Sequence, residues 1–288
     1  MNLTGIRRDH KYSPNSEDRD AAIIQSVAIQ LHTDYGHNIC LVDERQLTFS
    51  MLSKTDAIFS MARSPKALKV LAEAERHGIP VFNSTHGVKH LSRRTVNSTC
   101  KMLQIAVPSL LTELDFSKNS TPVTFPCWLK RDDECAQQAN DIHFIPDEEA
   151  LQPALQDFRS RHIHQFVIEK HLTGDVLKFY GVSGTPFFHC HYPIGKNGFS
   201  KFGLEHINGK TQGFAFDHDK LKQQTDKTGT ALGIPIYGGD AIVDADGTCH
   251  IIDFNDWPSY SACREEAAQA IAGLIHSHCT RTIHSQLH

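Results

Sequence analysis

Gly238-Gly239-Asp240-Ala241-Ile242-Val243, an Asp246-Gly247 pair, and Ile251-Ile252-Asp253-Phe254-Asn255-Asp256-Trp257-Pro258 read as two short apolar strands joined by a tight turn. Asp-Gly between alternating apolar runs is a strong hairpin signal, so residues 236–243 and 249–254 are expected to be antiparallel neighbours. That pairing brings Asp240, expected at the mouth of one strand, beside the end of the other. There Asp253 and Asn255 share a face because side chains alternate along a strand. Two carboxylates and an amide oxygen on one face make a hard oxygen site suited to Mg²⁺, with Mn²⁺ as an alternative occupant. Such an ion keeps several waters and takes phosphate oxygens as further ligands. Strands often end in polar residues that bind nothing, so the rest of the chain must decide whether these three do.

Toward the N-terminus, strand-like runs at 187–191, 176–182, 165–169, 141–145 and 125–130 surround one helical pattern at 147–161. Helical patterns at 217–232 and 265–275 flank the C-terminal strand pair, and residues 186–213 read as loops and hairpins. Before about residue 90 the rhythm differs. Short apolar runs at 3–6, 38–42, 56–59 and 79–82 alternate with helices. The first helix carries Ile23, Ile24, Val27, Ala28 and Leu31 behind an acidic opening turn of Glu17, Asp18 and Asp20. The second opens at Ser64-Pro65, an N-cap followed by proline at the first helical position, carries Val70, Leu71 and Ala74 on one face and stops near Gly78. Strands separated by helices imply parallel pairing, so residues 1–90 are expected to form a parallel α/β domain.

Bulk properties exclude several classes. With 288 residues the chain is long enough to bury a large core without disulfides or metals. Twenty-nine Lys and Arg against 33 Asp and Glu, a net charge of −4, argue against nucleic acid or a membrane surface as partner. No apolar run approaches the roughly 18 residues of a membrane helix. A charged N-terminus without an apolar core, and eight Cys without a C-x-x-C pair, predict a reducing cytoplasm.

Four motifs in order give the chain a resemblance to the ATP-grasp superfamily over nearly its whole length. Phe125-Pro126-Cys127-Trp128-Leu129-Lys130 is similar to the strand that ends in a phosphate-binding lysine. Val167-Ile168-Glu169-Lys170-His171-Leu172-Thr173-Gly174-Asp175 is similar to the inter-lobe hinge whose backbone holds adenine. Asn83-Ser84, Arg93-Arg94-Thr95 and Ile105-Ala106-Val107-Pro108 look like the linker that supplies a further phosphate-binding cation. The terminal D-x-N-x-x-P matches the paired metal-ligand strands. The resemblance implies a pre-ATP-grasp domain at 1–90, a linker helix and central lobe at 91–168, and a C-terminal lobe with the metal site at 169–288.

By the same resemblance, ATP and Mg²⁺ are the expected cofactors, and Asp240, Asp253 and Asn255 the metal ligands. Arg94, Lys130, Glu169, Lys170, His171, Leu172, Asp175 and Lys178 are expected to hold the nucleotide, with Lys130, Lys178 and Arg94 acting in catalysis. Arg93 competes with Arg94, and the Arg-Thr pair favours Arg94. Asp175 is expected to meet the ribose. Lys130 is expected to be a strand-end lysine whose removal costs the fold little. The implied reaction joins a small-molecule or peptide carboxylate to an amine through an acylphosphate. A small-molecule kinase resembling inositol-phosphate kinases and a non-catalytic nucleotide-binding regulatory module are the alternatives, and a homo-oligomer remains open. Two features depart from the pattern: residues 132–140 lack lid glycines, and Lys178 stands where many ligases carry Arg. Arg7 and Arg8, at the end of the first strand, are expected to bind an anionic substrate in the crevice there. His189 and His191 share a strand face, but without third and fourth ligands, zinc is the lesser reading. Ser64 and Ser84 are expected to cap helices rather than bind anions.

Overall fold

A computed structural model describes residues 1–13, 16–118, 121–132, 136, 138–193 and 204–286. Strands β1 (Asn2–Arg7), β2 (Asn38–Asp43), β3 (Ala57–Ser60) and β4 (Val81–Phe82) form a parallel sheet in the order β2-β1-β3-β4. Helix α1 (Glu17–Thr33) buries the expected stripe of Ile23, Ile24, Val27, Ala28 and Leu31. Helix α2 (Pro65–Arg76) starts where the Ser64 hydroxyl accepts the Ala67 N–H at 3.3 Å.

The linker forms two helices, although its sequence is polar. Helix α3 (Thr85–His90) is capped by Ser84, whose Oγ accepts the Gly87 N–H at 3.0 Å, and α4 (Arg93–Met102) is capped by Ser92. Both serines cap, as expected of Ser84. A Cβ on Gly87 would lie 2.4 Å from the Leu232 carbonyl oxygen, so only glycine lets α3 approach that backbone.

The second sheet is antiparallel in the order β5-β8-β6-β7, from β5 (Leu110–Thr112), β6 (Cys127–Arg131), β7 (Ile142–Ile145) and β8 (Phe166–Lys170). Helix α5 (Glu113–Ser117) follows β5 through a capping box formed by Thr112 and Asp115. Helix α6 (Glu148–Ser160) opens on Asp147 and packs Leu151, Leu155 and Phe158 against Leu129 and Ile168. The third sheet, order β10-β9-β11-β12, comprises β9 (Asp175–Val182), β10 (Phe188–His191), β11 (Ile236–Val243) and β12 (Cys249–Asp256). The expected β11–β12 hairpin is present and antiparallel. Helix α7 (His218–Leu232) is stopped by Gly233, at φ 71°.

The final helix, α8 (Arg264–Gln286), packs mainly on α1 while also touching the end of the third sheet, where Val182 and Ile236 share its core. Its Ala267, Ala268, Ile271, Ala272 and Ile275 share one core with α1 and the first sheet. At about 1.5–3 kcal/mol for each fully buried large aliphatic side chain, that face makes α8 part of the N-terminal unit. Trp257 and Tyr260, just past β12, are fully buried in the same core, and the Trp257 indole donates to the Phe82 carbonyl at 3.2 Å. The seam between second and third sheets runs through residues 171–174, past the end of β8, rather than at 168. Among the described residues, no helix is long and apolar enough to cross a membrane.

Candidate active site

A cavity of about 390 Å³ opens between the second and third sheets and reaches the C-terminal ends of β1 and β3. Trp128 and residues 169–172 line one end; Arg93, Lys130, Lys178, Asp240, Asp253 and Asn255 line the middle; Arg8, Asp20 and Arg63 line the other end. Among the described residues, six Lys or Arg and six Asp or Glu side chains line it, so that part of its wall is close to electroneutral.

Strand register builds the polar centre. His191, Lys178, Asp240 and Asp253 occupy adjacent positions across β10, β9, β11 and β12. Asp240 lies within β11, not at its mouth, because that strand runs on to Val243; a register shift follows it. Gly239 permits the pairing: a Cβ there would sit 2.2 Å from the Asp253 carbonyl oxygen. Lys178 Nζ donates to Asp240 Oδ1 at 3.0 Å, and Asn255 Nδ2 donates to Asp253 Oδ2 at 3.0 Å. Burial alone would push the Asp253 carboxyl upward, yet Arg93, Lys130 and Lys178, with the Asn255 bond, hold it below the usual range. Asp253 is therefore anionic at neutral pH. Two carboxylates and an amide, one carboxylate already shared with a lysine, fit a hard divalent ion that keeps water ligands. Among the described residues, no group of three or more His, Cys, Asp and Glu could hold a metal, so the zinc reading of the histidines finds no support. His189 and His191 instead stack on Tyr180, with ring centroids 6.3 and 5.9 Å away.

Lys130 is not at a strand end, as it was expected to be, and it is buried. It is 7% exposed, and its ammonium donates to Glu169 Oε1, itself 4% exposed, at 2.8 Å. Strand β6 continues to Arg131, so Lys130 lies inside the sheet opposite Val167 of β8.

Of the two linker arginines, Arg93 lines the cavity, whereas Arg94 is not among its lining residues. Arg94 is held by Asp132 at 2.5 Å and by Glu113 at 2.7 Å. Burial opposes its charge, but these bonds outweigh that and raise its pKa. Asp132 also accepts the Arg93 main-chain N–H at 2.6 Å, which ties the start of α4 to the end of β6. Asp175 likewise does not reach the cavity lining. Its buried carboxylate accepts the N–H groups of Gln212, Gly213 and Phe214 at 2.7, 2.7 and 3.0 Å, pinning that segment instead of presenting oxygens to a ribose. Lys170, His171 and Leu172 do line the cavity. Main-chain bonds from Lys170 N to Ser109 O, 2.9 Å, and His171 N to Pro126 O, 3.1 Å, fix the hinge, and Asn208 donates to the Leu172 carbonyl at 3.0 Å.

Arg7 is not among the lining residues. Arg8 is, but in a buried network: it donates to Asp20 at 3.0 Å and to the Met61 carbonyl at 3.0 Å, and lies 3.7 Å from Asp256, which also pairs with Arg63. Arg8 therefore joins the first sheet to the end of β12. Sequence reasoning passed over Arg63 and Asp256. The available signal was position: Arg63 directly precedes the Ser64-Pro65 strand-to-helix turn, and Asp256 follows the D-x-N motif. Asp133, Glu134, Cys135 and Gln137 of the glycine-poor loop lie outside the described residues, as do residues 196–203 of the basic loop 196–210 that the kinase alternative would use with Lys178 to hold a phosphorylated substrate.

A parallel sheet followed by two antiparallel units is a fold that recurs in solved structures. A RimK domain ATP-grasp protein from Sphaerobacter thermophilus superposes with TM-score 0.66 at 13% identity, covering 95% of this chain and 98% of its own. D-alanine–D-alanine ligase from Bacillus anthracis gives 0.65 at 12% over 99% of each chain. VanG D-Ala:D-Ser ligase from Enterococcus faecalis gives 0.67 at 12%, over 96% of this chain and 98% of its own. No protein-family model matches the sequence, and no curated protein matches it either. The chain has the ATP-grasp fold: a parallel N-terminal sheet followed by two antiparallel α+β lobes.

Proposed function

We propose that this protein is an ATP-dependent ligase that joins a carboxylate to an amine or similar nucleophile. The carboxylate oxygen takes the γ-phosphoryl group of ATP and ADP leaves; the amine then attacks the acyl carbon, loses a proton, and phosphate departs. The observation that carries the reading is convergence. Lys130, the hinge at 169–172, Arg93 and the Asp240–Asp253–Asn255 set come from four separate regions of sequence and meet on one cavity. The ligase names borne by proteins of the same fold support it.

Residues 169–172 and Trp128 would receive the base. Lys130 and Arg93 would neutralise phosphate oxygens; we assign the linker role to Arg93 rather than Arg94, because Arg94 is occupied by Asp132 and Glu113. An ammonium has three donors, and Glu169 orients Lys130 by taking one. Asp240, Asp253 and Asn255 would hold Mg²⁺, whose charge offsets that developing on the transferring phosphoryl group. Because the cavity wall is nearly electroneutral, a triphosphate depends on the accompanying metal for its charge balance.

The test is ADP release across a panel of carboxylates and amines, with product analysis. ADP, phosphate and an amide support the ligase. ADP with a phosphate ester would replace it by a kinase, and no consumption of ATP with any pair would leave only a nucleotide-binding module.

A further inference from the structure

The base end of the cavity carries a chemical detail that the nucleotide reading does not contain. The Trp128 indole donates to His171 Nδ1 at 3.0 Å. An indole N–H donates only, so Nδ1 must be an unprotonated acceptor and the ring proton of His171 must sit on Nε2. Phe144 of β7 meets both rings edge-on, with centroids 5.1 Å from Trp128 and 5.3 Å from His171. Trp128 and His171 both line the cavity, and the hinge bonds of Lys170 and His171 hold the backbone beneath them. Burial keeps the His171 ring below its ordinary 6.5, so it is neutral at neutral pH. The elements packed on it from β6 and β7 bring aromatic groups; among the described residues, the charges at this end are Lys170, on the hinge itself, and the paired Lys130 and Glu169.

We propose that His171 contacts the nucleotide base in one protonation state only, neutral and tied through Nδ1 to Trp128, with its Nε2 proton available to an acceptor nitrogen of the base. A second proton, on Nδ1, removes the indole's acceptor and places a cation against the aromatic wall. Nucleotide binding then weakens as the ring takes up that proton, and by linkage the bound nucleotide makes the ring harder to protonate. The inference rests on the reading of the cavity as a nucleotide site.

Two measurements on the whole protein test it. Trp128 and Trp257 are the two tryptophans, and Trp257 is fully buried on the Phe82 carbonyl, so emission reports on the Trp128–His171 bond. Without nucleotide, wild-type emission should change as pH falls below 6.5, and His171→Asn and His171→Gln, whose amides accept the indole without titrating, should not show that change. Second, binding of a non-hydrolysable ATP analogue with Mg²⁺ is measured by calorimetry at about pH 7.5 and about pH 5.5. The ratio of the two Kd values should be larger for wild type than for either variant by several-fold, and by no more than about tenfold for a ring titrating below 6.5. The variants carry the same titration of the analogue's phosphate, so the comparison cancels it. Equal ratios in wild type and variants, or an emission change that persists in the variants, would overturn the inference alone. No binding to any of the three proteins at either pH would overturn the nucleotide reading along with it.

Discussion

Replacing Lys130 with alanine removes the partner of a buried carboxylate. Lys130 and Glu169 side chains are 9% and 5% exposed and lie 2.8 Å apart between β6 and β8, so Glu169 would be left charged with neither water nor ammonium. Breaking a buried pair from one side typically costs about 3–5 kcal/mol, most of it the desolvation of the survivor. At roughly 2–4 °C per kcal/mol, the melting temperature of the apo protein should fall on the order of 10 °C. This reverses the expectation for a strand-end lysine. Removing both charges separates the structural effect from the functional one. Lys130→Met with Glu169→Leu fills the same space without an ion, and such replacements are often neutral or better. The double variant should recover apo stability to within about 1 kcal/mol of wild type. It should not recover the stabilisation by Mg-ATP, because the phosphate-binding cation is still missing. Urea denaturation of wild type, Lys130→Met, Glu169→Leu and the double variant, with and without Mg-ATP, gives the cycle, with Lys130→Ala measured beside it. A single Lys130→Ala variant within about 1 kcal/mol of wild type, at unchanged slope, would show that Glu169 finds another partner or water and would refute the pairing as described.

Mg-ATP at a hundredfold excess over its Kd should stabilise the wild type by about 2.7 kcal/mol, and ATP with a chelator by clearly less, since Asp240 and Asp253 then face bare phosphates; equal thermal shifts would count against a metal between them. Asp253→Asn should leave the apo melting temperature close to wild type and raise the Mg²⁺ concentration needed for half-maximal ATP binding, as read by calorimetry. Asp175→Ala should orphan three main-chain N–H groups and increase proteolytic cleavage near residues 210–214 with little effect on cleavage of α8. His37, whose Nε2 lies 3.1 Å from Nδ1 of His276 on α8, is held below 6.5 by burial, then by the N-terminal ammonium and His276, against a smaller opposing pull from Asp56. Its folded pKa is thus depressed, so its contribution is present above 6.5 and is lost as pH falls through that value. Urea midpoints taken from neutral to mildly acid pH should fall less for His37→Phe than for wild type.

Much of the third sheet and of the first was legible in the sequence because those segments obey a single period. The β11–β12 strands flank an Asp-Gly turn, and α1 repeats its apolar stripe every three or four residues, so local pattern and tertiary environment agree. Apolar spacing did not mark the linker, whose helix was expected from the resemblance and from Ser84 as a cap. Helices α3 and α4 contain Thr, His, Asn and Ser where a helix usually shows apolar spacing, and they are helical because Ser84 and Ser92 cap them and because α4 buries Val96, Asn97 and Cys100 against the third sheet's core. The destination of α8 was hidden for a similar reason. Its Ala-rich face shows that it is buried but not by what, and the partner, α1, lies more than 200 residues earlier.

Site residues divide along the same line. Asp240, Asp253 and Asn255 come together because strand register is a short-range property, fixed by the hairpin itself. Whether an arginine or an aspartate faces the cavity depends instead on what else in the folded chain competes for it. Arg93 and Arg94 are neighbours of the same type, and Asp132 and Glu113, distant in sequence, draw Arg94 aside. Asp175 has the composition of a ribose acceptor, yet three consecutive amides from 212–214 satisfy it first. A carboxylate that three backbone donors already share gains little from a sugar hydroxyl, while Asp253, held ionised by three cations and bonded to one amide, has charge left to offer a metal. Competition for partners, more than residue type, therefore decides which of the chain's polar side chains remain for chemistry.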